Sequence, residues 1–251
     1  MSCVNIRGCR IGEGRPKVIL PIVERTEAAI LEKAAQFSTL LADCVEWRAD
    51  WFEGFQSPAA IARCIQKLRV ALRDKLLLVT FRTKAESGEQ ALSHPEYLAF
   101  LRLILDTDCA DLLDIEFFTA GADLPKLVEQ AHSAGVAVVC SSHDFAKTPP
   151  RAELVSRMVQ MQQAGADLPK LAVMPRCRSD VLELLAATAE MADHHPETPV
   201  ITMSMGALGA VSRLAGEAFG SAMTFANPGQ ASAPGQVSLD VVNAVLDALK
   251  L

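Results

Sequence analysis

The chain has no apolar run near the roughly 18 residues that would cross a bilayer. Its best stretches, Leu76–Phe81 and Val136–Cys140, are strand-sized. Arg7, Arg10 and Glu13 come before any sustained apolar segment, so no secretory signal is expected. Positive charge is not in excess: 24 Lys and Arg against 30 Asp and Glu leave −6, which argues against a general nucleic-acid surface. Seven cysteines, an odd number, are scattered without a CxxC pair, so neither a disulfide framework nor a structural zinc site is expected. Aromatics are scarce at 5%, yet half of the chain is hydrophobic, which excludes disorder and supplies a large aliphatic core. These absences describe a soluble, reduced, cytoplasmic chain with neither membrane nor nucleic acid as partner.

What is present is an alternation. Short apolar runs suited to strands lie at 18–22, 44–48, 76–81, 112–116, 136–141, 171–174, 200–203 and 222–225. They recur at intervals of roughly 25 to 35 residues, about one βα unit. Helical punctuation fills the gaps. Ser57-Pro58 and Thr148-Pro149 set a capping residue before a first-turn proline, and Ser93 with Glu96 has capping-box spacing. Gly135 and Gly165 follow helical runs, and Ile61, Ile65, Leu68 and Leu72 form one stripe of period near 3.6.

Eight such units in 251 residues predict an α/β fold, a (β/α)₈ TIM barrel. The rival, an open doubly wound sheet, lacks a GxGxxG after its first strand. The segment around Gly8 is expected to form a short N-terminal hairpin closing the barrel bottom. No Pro- or Gly-rich linker divides the chain, so residues 1–251 are read as a single catalytic domain.

In a barrel the chemistry gathers at the C-terminal strand ends. Here those ends offer Glu46, Arg48, Arg82, Glu86, Glu116, Ser142, His143, Lys170 and Ser204, and the last long loop adds Ser232 and Gln236. Some have a plain structural reading. Glu46 and Arg48 share a face and suit an inward ion pair as well as a substrate; His143-Asp144 suits loop capping. Gly206–Gly209 has the look of a phosphate-cradling turn, but a loop-to-helix junction is the more ordinary reading.

Lys170 resists such readings. The octapeptide AGADLPKL occurs twice, at Ala120–Leu127 and Ala164–Leu171, but with different sequels. Lys126 leads into a helix and is expected in water; Lys170 is expected to begin a barrel strand. A lysine desolvated by an apolar wall near Arg48 and Arg82 is pushed toward the neutral amine that attacks carbonyls. His143 is the natural proton carrier, with Glu86 orienting its ring. Three separated arginines, Arg48, Arg82 and Arg213, suggest a small anionic substrate, a carboxylate.

The stretches VEWRAD (45–50), TFRTKAESGEQ (80–90), DIEFF (114–118), SSHDFAKTP (141–149), GADLPKLAVMP (165–175), ITMSMG (201–206), SRLAGEAFGSAMTF (212–225) and SAPGQ (232–236) together resemble type I 3-dehydroquinate dehydratase. That is the Schiff-base-forming lyase family of the shikimate pathway, which serves aromatic amino-acid biosynthesis. The resemblance implies Lys170 as the imine-forming residue, His143 as general acid and base, and Glu86 as its assistant. It implies Glu46, Arg48, Arg82, Arg213, Ser232 and Gln236 as contacts to the substrate, 3-dehydroquinate. It also implies a homodimer that needs neither metal nor organic cofactor. Some relatives carry serine where this chain has Pro21. Met203 and Met205 resemble the family's apolar site wall. Residues 227–236, with two prolines, two glycines and no large apolar side chain, are expected to act as a lid. A class I aldolase and a non-catalytic metabolite-binding barrel are the competing readings.

Overall fold

The computed structural model describes residues 2–229 and 233–250. Its first element is an antiparallel hairpin, β1 (Val4–Ile6) and β2 (Cys9–Ile11). The hairpin turns through Arg7 and Gly8, both with positive φ, as a tight two-residue turn requires. Eight parallel strands follow: β3 (Lys17–Ile22), β4 (Cys44–Arg48), β5 (Leu76–Thr80), β6 (Leu112–Glu116), β7 (Ala137–Asp144), β8 (Leu168–Val173), β9 (Ile201–Ser204) and β10 (Met223–Asn227). A two-residue strand, β11 (Val237–Ser238), adds to the outer end of β10. Each expected strand is present. The ladder runs from β10 through β3 to β9, and the ring closes between β9 and β10 at one bridge, Val200 to Ser221.

The helices wrapping this sheet are α1 (Glu27–Phe37), α2 (Pro58–Leu72), α3 (His94–Leu105), α4 (Phe117–Ala120), α5 (Leu124–Ser133), α6 (Arg151–Gln163), α7 (Arg178–His194), α8 (Ala210–Leu214), α9 (Gly216–Phe219) and α10 (Leu239–Ala248). Their starts follow the sequence with one exception. Ser57 accepts from the Ala60 amide, and Ser93 and Glu96 form a complete capping box. Thr148 does not cap α6. Its hydroxyl donates to the Met174 carbonyl, and α6 opens two residues later behind Pro150. Gly135 and Gly165 take the left-handed conformation that a side chain disfavours.

Period-2 alternation divides the core in two. Outward residues such as Val45, Trp47, Leu77, Val79, Leu113 and Val138 pack against the helices. Inward residues Ile19, Cys44, Leu76, Leu112, Ala137, Leu168 and Ile201 fill the lower barrel, and Ile11 of the hairpin, fully buried, joins them from below. The hairpin therefore does close the bottom.

A repeated device fixes the register there. Asp43, Asp111 and Asp167 each stand immediately before an even-numbered strand. They accept the backbone N–H of Val18, Leu77 and Val138 at 2.7, 2.8 and 2.7 Å, each at the start of the preceding strand. Ser221 accepts from Thr202 in the same manner beside the closing seam. With the bottom plugged and pinned, the inward positions turn polar towards the other end of the strands.

Candidate active site

Along β6 the inward residues are Leu112, Asp114 and Glu116; along β8 they are Leu168, Lys170 and Ala172. The same step from apolar to polar on β4 and β5 presents Glu46, Arg48 and Thr80. Of these, Glu46, Arg48, Lys170 and Ala172 border a cavity of about 230 Å³ at the C-terminal end of the barrel. Glu46, Arg48, Arg82, Glu86, His143, Lys170, Arg213 and Gln236 all line it. Ser232 lies outside the described residues.

β8 begins at Leu168, three residues before the expected apolar run, so Lys170 stands within the strand. It is 3% exposed, with Nζ 3.2 Å from Asp114 Oδ2 and 4.8 Å from the centre of the Phe225 ring. The expected surroundings of apolar wall and bare cations are corrected by this: a carboxylate faces the amine. Its twin Lys126 is exposed in the first turn of α5.

β7 likewise runs further than expected, through Asp144, and carries His143 on the strand. His143 Nδ1 lies 2.7 Å from Glu86 Oε2, and the same oxygen accepts the His143 backbone N–H at 3.1 Å. Burial, reinforced by the charges of Arg82, Lys170 and Arg48, pushes the His143 imidazole well below its ordinary pKa. Burial pushes Glu86 up to about 8 against the pull of Arg82. The ring thus rests neutral, and with Nδ1 committed to Glu86, Nε2 remains for proton transfer. The loop-capping role belongs to Asp144, which accepts from the amides of Ala146 and Lys147.

The three arginines differ in what they have left to give. Arg48 forms two 2.8 Å bonds to buried Asp50, so the anticipated Glu46–Arg48 pair is replaced; Glu46 accepts from Thr80 instead. Arg82 is spent more fully. Its Nη1 donates to Glu86, Glu116 and Ser141, and its Nη2 to Asp114. Arg213, 1% exposed on α8, has no carboxylate partner among the described residues: it donates to the Pro234 carbonyl and weakly to the Met203 sulfur, and no described residue partners Nε. Burial lowers its pKa to about 10, still a cation at neutral pH. Arg213 is therefore the guanidinium best placed to meet an anionic ligand.

Met203, Met205, Phe145 and Phe225 supply the apolar wall. Pro21 borders a separate small pocket beside Pro228 and Gly229. The Gly206–Gly209 segment is a loop-to-helix junction: the Gly206 amide donates to Pro234, the Gly209 amide to Gly206. The lid expected over 227–236 falls partly on 230–232, outside the described residues; Ala233, Pro234 and Gln236 form cavity wall. Asp50 and Asp114 were not among the residues anticipated from sequence. For Asp114 the available signal was an aspartate within the otherwise apolar run Leu112–Ile115, at an inward position.

The model of the Type I 3-dehydroquinase family matches residues 18–251. The chain belongs to this family. It is 46% identical over 249 residues to the 3-dehydroquinate dehydratase of Bacillus subtilis, covering 99% of this chain and 98% of that one. Identity to the Bacillus licheniformis 3-dehydroquinate dehydratase is 45% over 246 residues, covering 98% and 97%. The crystal structure of the type I enzyme from Clostridium difficile, solved with covalently modified comenic acid, superposes with a TM-score of 0.96 at 42% identity, covering 99% and 98%. The Enterococcus faecalis 3-dehydroquinate dehydratase gives 0.93 at 41%, covering 99% and 100%. The carboxyl transferase domain of Rhizobium etli pyruvate carboxylase, at 13% identity and TM-score 0.68, shares the barrel fold alone.

Proposed function

We propose that this chain dehydrates 3-dehydroquinate to 3-dehydroshikimate through an imine on Lys170, as a shikimate-pathway lyase in aromatic amino-acid biosynthesis. One observation carries the reading: a buried lysine amine lines the same cavity as a histidine whose Nδ1 is held by Glu86, which leaves Nε2 for proton transfer. Lys170 Nζ gives up one proton and attacks the C3 ketone with its freed lone pair, His143 moves the protons of the carbinolamine, and water leaves. The iminium draws electrons from C2, so the C2 proton becomes acidic enough for His143 Nε2 to remove. The imidazolium then protonates the departing C1 hydroxyl on the same face, and hydrolysis releases product.

In this reading Arg213 takes the substrate carboxylate. Arg48, Glu46 and Gln236 address its hydroxyls, and Glu86 supports the imidazolium. Arg82 contributes mainly by neutralising carboxylates. Ser232 is retained as a substrate contact on the resemblance alone. The chain acts as one catalytic domain and as a cytoplasmic homodimer, which sedimentation tests. Among the described residues no helix is long and apolar enough to cross a membrane.

The test is direct. Incubation with 3-dehydroquinate should generate the ultraviolet absorbance of a conjugated enone. Borohydride added with product should label the peptide holding Lys170. An aldolase would instead cleave a carbon–carbon bond, and a binding barrel would leave the substrate intact. Label on the Lys126 peptide, or none, refutes the mechanism.

A further inference from the structure

The carboxylate that faces Lys170 uses its two oxygens differently. Asp114 is fully buried on β6. Its Oδ1 accepts from Ser141 Oγ at 2.6 Å and from Arg82 Nη2 at 2.9 Å. Its Oδ2 accepts from Lys170 Nζ at 3.2 Å. One oxygen is clamped by two donors on neighbouring elements, so the other is held against the reacting nitrogen. Among the described residues Asp114 accepts the Lys170 hydrogen bond, and the Phe225 ring covers the amine from another side. Burial would raise this carboxyl, but Arg82 and Lys170 outweigh it and keep the group an anion.

The charges through the reaction fit such a partner. An ammonium and a ketone give an iminium and water: the N–C bond forms, and the carbonyl oxygen leaves with two of the nitrogen's protons. One N–H and the positive charge remain. Removal of the C2 proton by His143 sends an electron pair to nitrogen and makes a neutral enamine. Loss of the C1 hydroxyl, protonated by His143, restores the iminium. The cation is thus present at the start, before elimination and after it, always with at least one N–H.

We propose that Asp114 is the fixed counterion of Lys170 throughout the cycle, accepting an N–H first from the ammonium and then from the iminium. This rests on the imine mechanism given above. With Cε held by β8 and the N–H held by Oδ2, the third substituent of a planar nitrogen has one direction left. Asp114 therefore sets the plane in which the substrate carbon is presented to His143.

The experiment titrates borohydride labelling against 3-dehydroshikimate in the intact enzyme and in Asp114→Asn, and records the absorbance of the unreduced product iminium. Loss of one charged hydrogen bond should raise the product concentration for half-labelling by about 10- to 100-fold. Removal of the nearby anion should also move the iminium absorbance to longer wavelength, because positive charge then spreads away from nitrogen. Binding of the C3 alcohol analogue, which forms no imine, should stay close to that of the parent enzyme. Equal labelling with an unshifted spectrum overturns the proposal. So does a parallel loss of labelling and of alcohol binding, which would mean a collapsed site. If Asp114→Asn does not fold, Asp114→Glu keeps the charge beside Arg82 while displacing the acceptor. It should weaken labelling without the spectral shift, and labelling equal to the parent would refute the role. A parent enzyme that takes no label overturns the imine mechanism itself, and this proposal with it.

Discussion

Arg82→Met separates a charge-neutralising role from a substrate-binding one. Methionine keeps much of the aliphatic volume and removes the guanidinium. Four hydrogen bonds disappear, to Glu86, Glu116, Ser141 and Asp114. Adding them as independent charged bonds overstates the loss, because each carboxylate keeps other partners. Glu116 retains the Thr83 amide and hydroxyl and Thr119; Asp114 retains Ser141 and Lys170. What cannot be recovered is the compensating charge among three buried acids. Breaking such a pair typically costs about 3–5 kcal/mol, and for a chain of this size each kcal/mol lowers Tm by about 2–4 °C. The sign with pH is also fixed. Asp114 has its pKa lowered, so in the parent it stabilises the fold above the ordinary carboxylate range and loses that contribution as pH falls through its folded value. The deficit of the variant should therefore be largest near neutrality and shrink below about pH 4. Thermal unfolding at several pH values, alongside steady-state kinetics, measures both. An unchanged Tm with only a raised KM would refute the neutralising role and return Arg82 to the substrate.

His143→Ala should still form the imine, slowly, and stall before elimination, so that borohydride traps an accumulating substrate adduct; near-normal turnover would require another base. Glu86→Gln should lower turnover less than His143→Ala and stabilise the fold. Glu86 is raised to about 8 by burial, so its ionisation opposes folding progressively from about pH 4 to pH 8, and the gap should widen over that window. Unfolding midpoints that run parallel across it would contradict this. Gly235→Ala should raise KM sharply, because Gly235 has φ +74° and a Cβ there would lie 2.2 Å from the Gly206 carbonyl oxygen. Unaltered kinetics would mean that the wall holding Pro234 and Gln236 tolerates displacement.

The barrel was legible because strand burial on both faces leaves apolar runs that need no partner to recognise. Boundaries were less so. The sequence does not announce that β8 starts at Leu168, since Pro169 inside it lacks an amide and argues against a strand, although its backbone pairs with Cys140. The start of α6 departs from the capping pattern for a similar reason: a hydroxyl before proline satisfies that pattern, but the Met174 carbonyl just past β8 competes for it. At the site, Lys170, His143 and Glu86 could be read from type and place. Asp50 and Asp114 could not be assigned with equal force, because their effect lies in which cation they neutralise. For Asp114 that is decided by contacts 32 and 56 residues away, to Arg82 and Lys170, a relation no local pattern encodes; Asp50 takes Arg48 two residues before it, and its hold on the Arg82 and Glu89 amides shows only in the fold.

The electrostatics follow from one arrangement. The site concentrates Arg48, Arg82, Arg213 and Lys170 beside Glu46, Asp50, Glu86, Asp114 and Glu116, all in or around a small buried volume. Asp50 consumes Arg48, and Glu116 with Asp114 consumes Arg82. Among the described residues Arg213 has no carboxylate partner and suits an incoming one, Glu46 is held only by the Thr80 hydroxyl, and Glu86 shares Arg82 with two other acids, rises in pKa and leans on His143. Substrate binding at Arg213 and proton removal at His143 would each supply a missing counter-charge. In the proposed mechanism Arg213 is thus left for the substrate and Glu86 for His143, while Lys170 and Arg48 act from positions already paired with a carboxylate.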